Sequence, residues 1–379
     1  MSPKLQSVIK IAIRELRTCY TKNGIIAGRH HFTDYWARDG YFAALGATVI
    51  GDHAIVGKMI SLFYKYQRAD GLIPYRILRG PVILKKYFGY PSLYQKPRPT
   101  YNLRGIGKEV LDGTTLTVLF TALRGLKNWP QAKKYLTHIK KALRYLQFRE
   151  KNGLLFDGVM AEWNDSTFKW GNLLYSNIIY WYMYDRLSKW VKKFDYNWFN
   201  KLHYRKIIIA REIRNKLWTG KFFADWYDYK RHDYFYPFAN CLAIAWGFTT
   251  KIESASILNH CKKIKIAFTL ETNYPKYPWW RIDILHRMIG MSDYQNQSLL
   301  WWQPVICYLA ALIKTNKKSE IEKVIDVITQ KIIIDKTIFE CYERSGIPVK
   351  RFIYTSEHPF AWSSGMLIWA LKLNQKTRY

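Results

Sequence analysis

The alternation of helical and non-helical stretches restricts the fold more than any other feature of this chain. Apolar residues recur at three and four positions, as in Val8, Ile11, Ile13, Leu16 and Tyr20, which is helical spacing. The pattern predicts helices over 3–20, 40–50, 53–67, 113–126, 130–149 and 172–191, then 200–217, 236–248, 252–264, 297–314, 317–331 and 361–373. Asp39, Asp52 and Pro130 stand where helix starts favour them. The connections 21–39, 69–111, 153–171, 218–235, 265–296 and 332–360 are long, whereas those between, such as 126–130 and 314–317, are short. Long connections in a compact chain usually carry function. Six helical hairpins with six long loops at one end describe an all-α fold, an (α/α)6 barrel whose loops line one pocket. No fixed-period repeat points to a solenoid, and no Gly/Ser/Pro-rich linker divides the chain, so residues 1–379 are read as one domain.

A hydrophobic content of 49% excludes general disorder, and 16 Trp, 29 Tyr and 19 Phe exceed what a core needs. Such an excess suits a ligand with apolar faces and hydroxyl edges, as a sugar has. Sixty Lys+Arg against 28 Asp+Glu give a net charge of +32, a field that attracts polyanions. The basic residues are spread along the whole chain, and Lys, Ile and Tyr are abundant together, as AT-rich coding produces. Composition is therefore the preferred explanation, and nucleic acid is not the expected partner; a basic nucleic-acid-binding or non-catalytic barrel is the rival class. Nothing in the sequence assigns an oligomeric state.

Cys19, Cys241, Cys261, Cys307 and Cys341 are odd in number, without metal-ligand spacing, and read as small buried hydrophobes in a reducing compartment. The N-terminus alternates charged and apolar residues without a signal-type apolar core, and the cytoplasm is the expected location. Residues 234–250 and 294–313 lack Asp, Glu, Lys and Arg, but Pro237, Asn240, Asn296, Gln297, Gln303 and Pro304 interrupt them. They read as buried helices rather than membrane spans.

Two carboxylates on aromatic-flanked turns carry the chemistry: Asp165 in Trp163-Asn164-Asp165-Ser166 and Glu340 in Phe339-Glu340-Cys341-Tyr342. Hydrolysing a glycosidic bond takes one carboxyl that gives a proton and another that activates water. Asp165 is the expected acid, with Glu162 competing; its bland reading is a helix N-cap. Glu340 is the expected base and should stay ionised, with Glu343 and Glu357 competing; its bland reading is an ion pair to Arg344 or Arg351. Trp36-Ala37-Arg38-Asp39 offers a charged pair that could clamp vicinal hydroxyls, or a capping aspartate beside a surface arginine. His30 and His31 lack a third ligand at suitable spacing, so no metal is expected. Residues 78–110 interleave Arg79, Lys85, Lys86, Lys96, Arg98, Arg104 and Lys108 with tyrosines and read as a pocket wall or lid with a basic outer face. There is no Gly-rich phosphate loop, and no cofactor is expected.

The motifs, in order, resemble the alkaline/neutral invertases and, more distantly, the glucosidase domain of glycogen debranching enzymes, over about Phe32 to Leu373. Trp36-Ala37-Arg38-Asp39-Gly40 is similar to the Arg-Asp segment of both groups. Gly71-Leu72-Ile73-Pro74-Tyr75-Arg76 resembles the debranching Gly-Leu-Ile-Pro-Asn-Arg, and Val110-Leu111-Asp112-Gly113 the Val-Asp-Ser/Ala that follows it in both groups. Ala239-Asn240-Cys241-Leu242-Ala243-Ile244 looks like the invertase Gly-Asn-Cys-Val-Ala-Ile, Trp280-Arg281-Ile282 its Trp-Arg-Ile/Leu, and Tyr294-Gln295-Asn296 its Tyr-His-Asn. Glu340-Cys341-Tyr342-Glu343 looks like Glu-Tyr-Tyr-Asp, and Ala361-Trp362-Ser363 like Thr-Trp-Ser. The resemblance implies an (α/α)6 barrel with its acid at Asp165 and its base at Glu340. It also implies a sugar site built from Trp36, Arg38, Asp39, Asp112, Trp163, Trp280, Arg281, Asn296, Tyr342 and Trp362. The expected reaction is inverting exo-hydrolysis of a small α-glucoside, sucrose ahead of an α-1,6-linked glucosyl unit or trehalose. The chain departs from invertases at Ser166-Thr167-Phe168-Lys169 and at Gln297-Ser298-Leu299-Leu300, where the leaving group should lie.

Overall fold

The computed structural model describes residues 2–80, 96–103, 109–352 and 354–376. Among them twelve helices form two concentric rings. The outer ring holds α1 (Pro3–Thr18), α3 (His53–Lys65), α5 (Leu136–Phe148), α7 (Tyr196–Leu217), α9 (Lys251–Lys263) and α11 (Lys318–Asp335). The inner ring holds α2 (Ala37–Val49), α4 (Asp112–Leu126), α6 (Leu174–Val191), α8 (Pro237–Ala245), α10 (Trp302–Lys314) and α12 (Ala361–Lys376).

The residue pattern decides which ring each helix joins. A helix apolar on one stripe lies on a surface, and one apolar all round is enclosed. α1 buries only Val8, Ile9, Ala12, Glu15 and Leu16, and α7 only Leu202, Ile209, Ile213 and Leu217. By contrast α8 buries every residue from Pro237 to Ile244, and α10 every residue from Trp302 to Ile313. Each inner helix touches the next, and α12 returns to α2, which closes the ring. That closure depends on glycine. A Cβ at Gly46 of α2 would lie 2.3 Å from the Gly365 carbonyl oxygen, and one at Gly365 would lie 2.4 Å from Ala43 Cα.

The helix starts hold some surprises. Asp39 falls inside the first turn of α2, which begins behind Trp36. Asp52 precedes α3, yet its carboxylate is taken by Arg17 and Tyr20. Pro130 opens a 3-10 turn, Pro130–Tyr135, ahead of α5, a common way to enter a helix. Thr250 and Glu253 close a capping box on α9.

The long loops are not featureless. Tyr35–Trp36 pairs with Arg76–Leu78, which pairs with Arg98–Thr100, and Leu300–Trp301 pairs with Cys341–Tyr342. The second pairing explains why α10 begins at Trp302 rather than at 297: the chain takes a positive φ of 72° at Gln297 and then extends to meet the Glu340 loop. Lys85, Lys86, Arg104 and Lys108 of the basic 78–110 stretch lie outside the described residues. No helix of the described residues is long and apolar enough to cross a membrane, and all five cysteines are buried.

Candidate active site

The loops that precede the inner helices surround a cavity of about 600 Å3. One wall is the small sheet after α1 and α3, which contributes Phe32, Trp36, Tyr75 and Arg76. Arg76 stacks 4.2 Å from the Trp36 ring and is ion-paired to buried Asp34. Trp163, Trp301 and Trp362 form an aromatic floor, with ring centroids 5.2 and 5.9 Å from Trp163.

Glu340 and Asp165 both line this cavity. Glu340 is 2% exposed and accepts from the Tyr294 hydroxyl at 2.6 Å, the Tyr354 hydroxyl at 2.5 Å and the Glu357 amide at 3.3 Å. Burial pushes its carboxyl up to about 8, against the pull of the two tyrosines, with Glu357 adding a like charge. The expectation of an ordinary, fully ionised base is corrected accordingly: lost hydration outweighs the donors. Glu357 is committed elsewhere, since its carboxylate accepts the backbone amides of Arg29, His30, His31 and Phe32. His30 and His31 thus belong to a loop wrapped around that carboxylate, and Gly28 leaves room for it: a Cβ there would meet Glu357 Cγ at 2.4 Å. Glu343 pairs with Arg351, as does Asp293.

The Asp165 turn is held from outside. Gln295 donates through Nε2 to the Trp163 carbonyl at 2.5 Å, accepts the Ser166 amide at 3.0 Å, and through its own carbonyl accepts Asn164 at 3.1 Å. Asp165 is half-buried and acts electrostatically on Arg38, Asp39 and Tyr75. Its rival Glu162 is fully buried and ion-paired to Lys169, which also meets Asp225 at 2.9 Å, so it is absent from the described cavity lining.

Arg38 and Asp39 enter the cavity from the first turn of α2. Asp112 opens α4 and accepts from Arg38 Nε at 2.7 Å. Burial works against the Arg38 charge, and Asp112, Asp165 and Asp39 more than offset it. Asp39 is raised to about 7 by burial, with Arg38 opposing. Asp112 therefore sits one step behind the wall, fixing Arg38.

Of the remaining expected site residues, Trp362, Trp163 and Trp36 line the cavity, and four do not. Tyr342 is fully buried against Phe268 and Trp302 and donates to Asp335, and that packing holds it away from the cavity. Asn296 holds the 273–277 loop through the Tyr277 amide and carbonyl. Arg281 bonds the Phe168 carbonyl at 2.8 Å and stacks 5.0 Å from Trp226. Trp280 is 63% exposed beside Trp279. Sequence reasoning missed Tyr294, Tyr354, Gln295 and His286. The Tyr-Gln-Asn motif contains two of them, but it points to Asn296, the one polar residue there that serves the loop.

Solved structures share the fold over nearly the whole chain. A rhamnosidase from Klebsiella oxytoca with rhamnose bound has a TM-score of 0.68 at 14% identity, covering 97% of this chain and 63% of that one. The chain thus spans less than two thirds of the rhamnosidase. The GH63 mannosylglycerate hydrolase from Thermus thermophilus, in complex with glucose, has a TM-score of 0.66 at 12% identity, covering 96% of this chain and 99% of that one. A structure described as a wild-type glycosidase gives 0.68 at 12% identity, covering 99% of each chain. No protein-family model matches the chain, and no curated protein matches it in sequence. At these identities the likeness is one of fold, and that fold is the (α/α)6 barrel of twelve helices described above.

Proposed function

We propose that the chain is an inverting, exo-acting glycoside hydrolase that removes a terminal α-glucosyl unit from a small α-glucoside. The observation that carries the reading is the placement of Asp165 and Glu340, in unlike environments, on one aromatic-walled cavity. A volume of about 600 Å3 suits a disaccharide-sized ligand. The descriptions of three structures that share the fold, a rhamnosidase, a mannosylglycerate hydrolase and a glycosidase, support the same reaction class.

In this reading Arg38 and Asp39 hold the hydroxyls of the terminal ring, while Trp36, Trp163 and Trp362 pack on its apolar faces. Asp165 gives its proton to the glycosidic oxygen as the bond from the anomeric carbon breaks. Glu340 takes a proton from water, and the water oxygen bonds the anomeric carbon from the opposite side. The products are a free sugar of inverted configuration and the leaving alcohol; Asp165 ends deprotonated, Glu340 protonated, and solvent exchange restores both. A base with a raised pKa pulls harder on that water.

Sucrose is the first candidate, from the motifs at 239–244 and 340–343; α-1,6-linked glucosides and trehalose follow. The test is a panel of sucrose, isomaltose, panose, maltose and trehalose, with mannosylglycerate and an aryl α-rhamnoside beside them. Glucose release from one of the first five is expected. Release only from the mannosyl or rhamnosyl compound overturns the α-glucosidase assignment, and release from none overturns the hydrolase reading.

A further inference from the structure

A second cavity, of about 560 Å3, lies outside the inner ring, along the outer helix α3 and against the segment that leads into α5. Its described lining includes Lys22, Lys58, Lys65, Lys134, His53 and Arg124, and no Asp or Glu. Arg124 is the unusual member. It belongs to the last turn of α4, is only 8% exposed, and its Nε has no hydrogen-bond acceptor. Its one described side-chain partner is the Trp129 ring, 5.7 Å away. Trp129 is fixed against α3, where a Cβ at Gly57 would lie 3.2 Å from the ring.

A buried guanidinium without a carboxylate is costly, and proteins ordinarily pair such a group. The other buried arginine among the described residues obeys that rule, since Arg38 has Asp112, and half-buried Arg76 likewise has Asp34. The field around Arg124 points the same way. Burial lowers its pKa with no carboxylate acting on it, and burial, then Arg124, then Lys127 outweigh Asp52 in lowering that of His53. The surrounding lysines are exposed and could be compositional, but Arg124 is held in place by packing.

We propose that this lateral cavity binds a small oligophosphate, with the Arg124 fork bonding one phosphate group and Lys58, Lys65 and Lys134 neutralising the rest. A planar fork on a rigid helix end matches phosphate oxygens, and several flanking cations favour a ligand with more than one negative charge. A concave site of this volume suits a small molecule rather than a nucleic-acid duplex. The site is independent of the hydrolytic cavity and of the reading given to it.

The test is calorimetric titration of inorganic pyrophosphate into the full chain at about 0.1 M salt, where long-range surface attraction is largely screened. Saturable binding of one pyrophosphate per chain is expected. Arg124→Gln should weaken it at least about tenfold, the scale of a lost charge-assisted hydrogen bond. A triple variant, Lys58→Ala with Lys65→Ala and Lys134→Ala, should do the same and decides the matter if Arg124→Gln fails to fold. A control variant, Lys251→Ala with Lys318→Ala and Lys323→Ala, removes equal charge from exposed positions on α9 and α11 and should bind as wild type. Absence of saturable binding overturns the proposal, and so does equal weakening in the control. Binding of duplex DNA that pyrophosphate does not displace also overturns it, since the basic surface would then serve a polymer.

Discussion

Asp165 and Glu340 lie on the same cavity but differ in burial and in the surroundings of their turns. Glu340 is almost sealed from solvent, and its own oxygens are gripped by two tyrosine hydroxyls and an amide. Asp165 is half-buried, and Gln295 bonds the backbone of its turn on both sides. Under the proposed reaction, the contrast suits the two jobs. A base that must aim at one water benefits from fixed oxygens and a raised pKa, whereas an acid must reach a departing oxygen and reload from solvent. The raised carboxyl of Glu340 alone would also suit an acid. The donors on both of its oxygens favour the anion, and so the base.

The largest break in this comparison comes from Glu340→Gln, which keeps the shape and removes the proposed base. Turnover should fall by about 10^3-fold or more with the fold intact. In the wild-type protein the proposed reaction predicts that kcat/KM rises as pH rises through about 8, because a base works only when deprotonated; a fall across that range would make Glu340 the acid. Tyr354→Phe sharpens the point. Losing a donor to the anion raises the Glu340 pKa further, so the limb should move up by about one pH unit and activity near neutrality should drop about tenfold. Gln295→Ala should lower turnover by only about tenfold or less through a looser Asp165 turn, and leave that limb where it was. Equal displacement of the limb by both variants would show that the two turns are not separately held.

The smallest effect concerns a carboxyl used by neither turn. Asp157 is fully buried, its oxygens lack hydrogen-bond partners, and burial raises it to about 8; nearby Ser176 tempers the shift without reaching hydrogen-bond geometry. A folded pKa above the unfolded one means that stability is fully present below the unfolded value and is lost as pH rises through about 8. Asp157→Asn should therefore leave hydrolysis unchanged at pH 7 and melt at a higher temperature than wild type at pH 9, with little difference at pH 5. A variant less stable at pH 9 would contradict this.

The barrel was legible because its signal is repetitive: helical spacing recurs along the chain, and long and short connections alternate between the helices. Asp165, Glu340, Arg38 and Asp39 were legible because a charged residue beside an aromatic at a helix entrance or loop turn is locally conspicuous. Tyr294, Tyr354 and Gln295 were not, because their meaning lies in pairings 14 to 132 residues apart. Tyr342 and Asn296 misled for the same reason, since a tyrosine or asparagine beside a catalytic-looking residue can face the loop instead. Arg124 shows the converse: nothing marks it in sequence, and only its burial without a counter-charge singles it out.

The most direct test of the paired-carboxylate claim uses α-glucosyl fluoride, whose fluoride leaves with little help from an acid. Hydrolysis by wild type, Asp165→Asn and Glu340→Gln would be followed by proton NMR from the first turnover. The account predicts β-glucose as the first product of wild type, substantial retention of that activity in Asp165→Asn, and its loss in Glu340→Gln. Initial release of α-glucose, or an active Glu340→Gln beside an inactive Asp165→Asn, would contradict it.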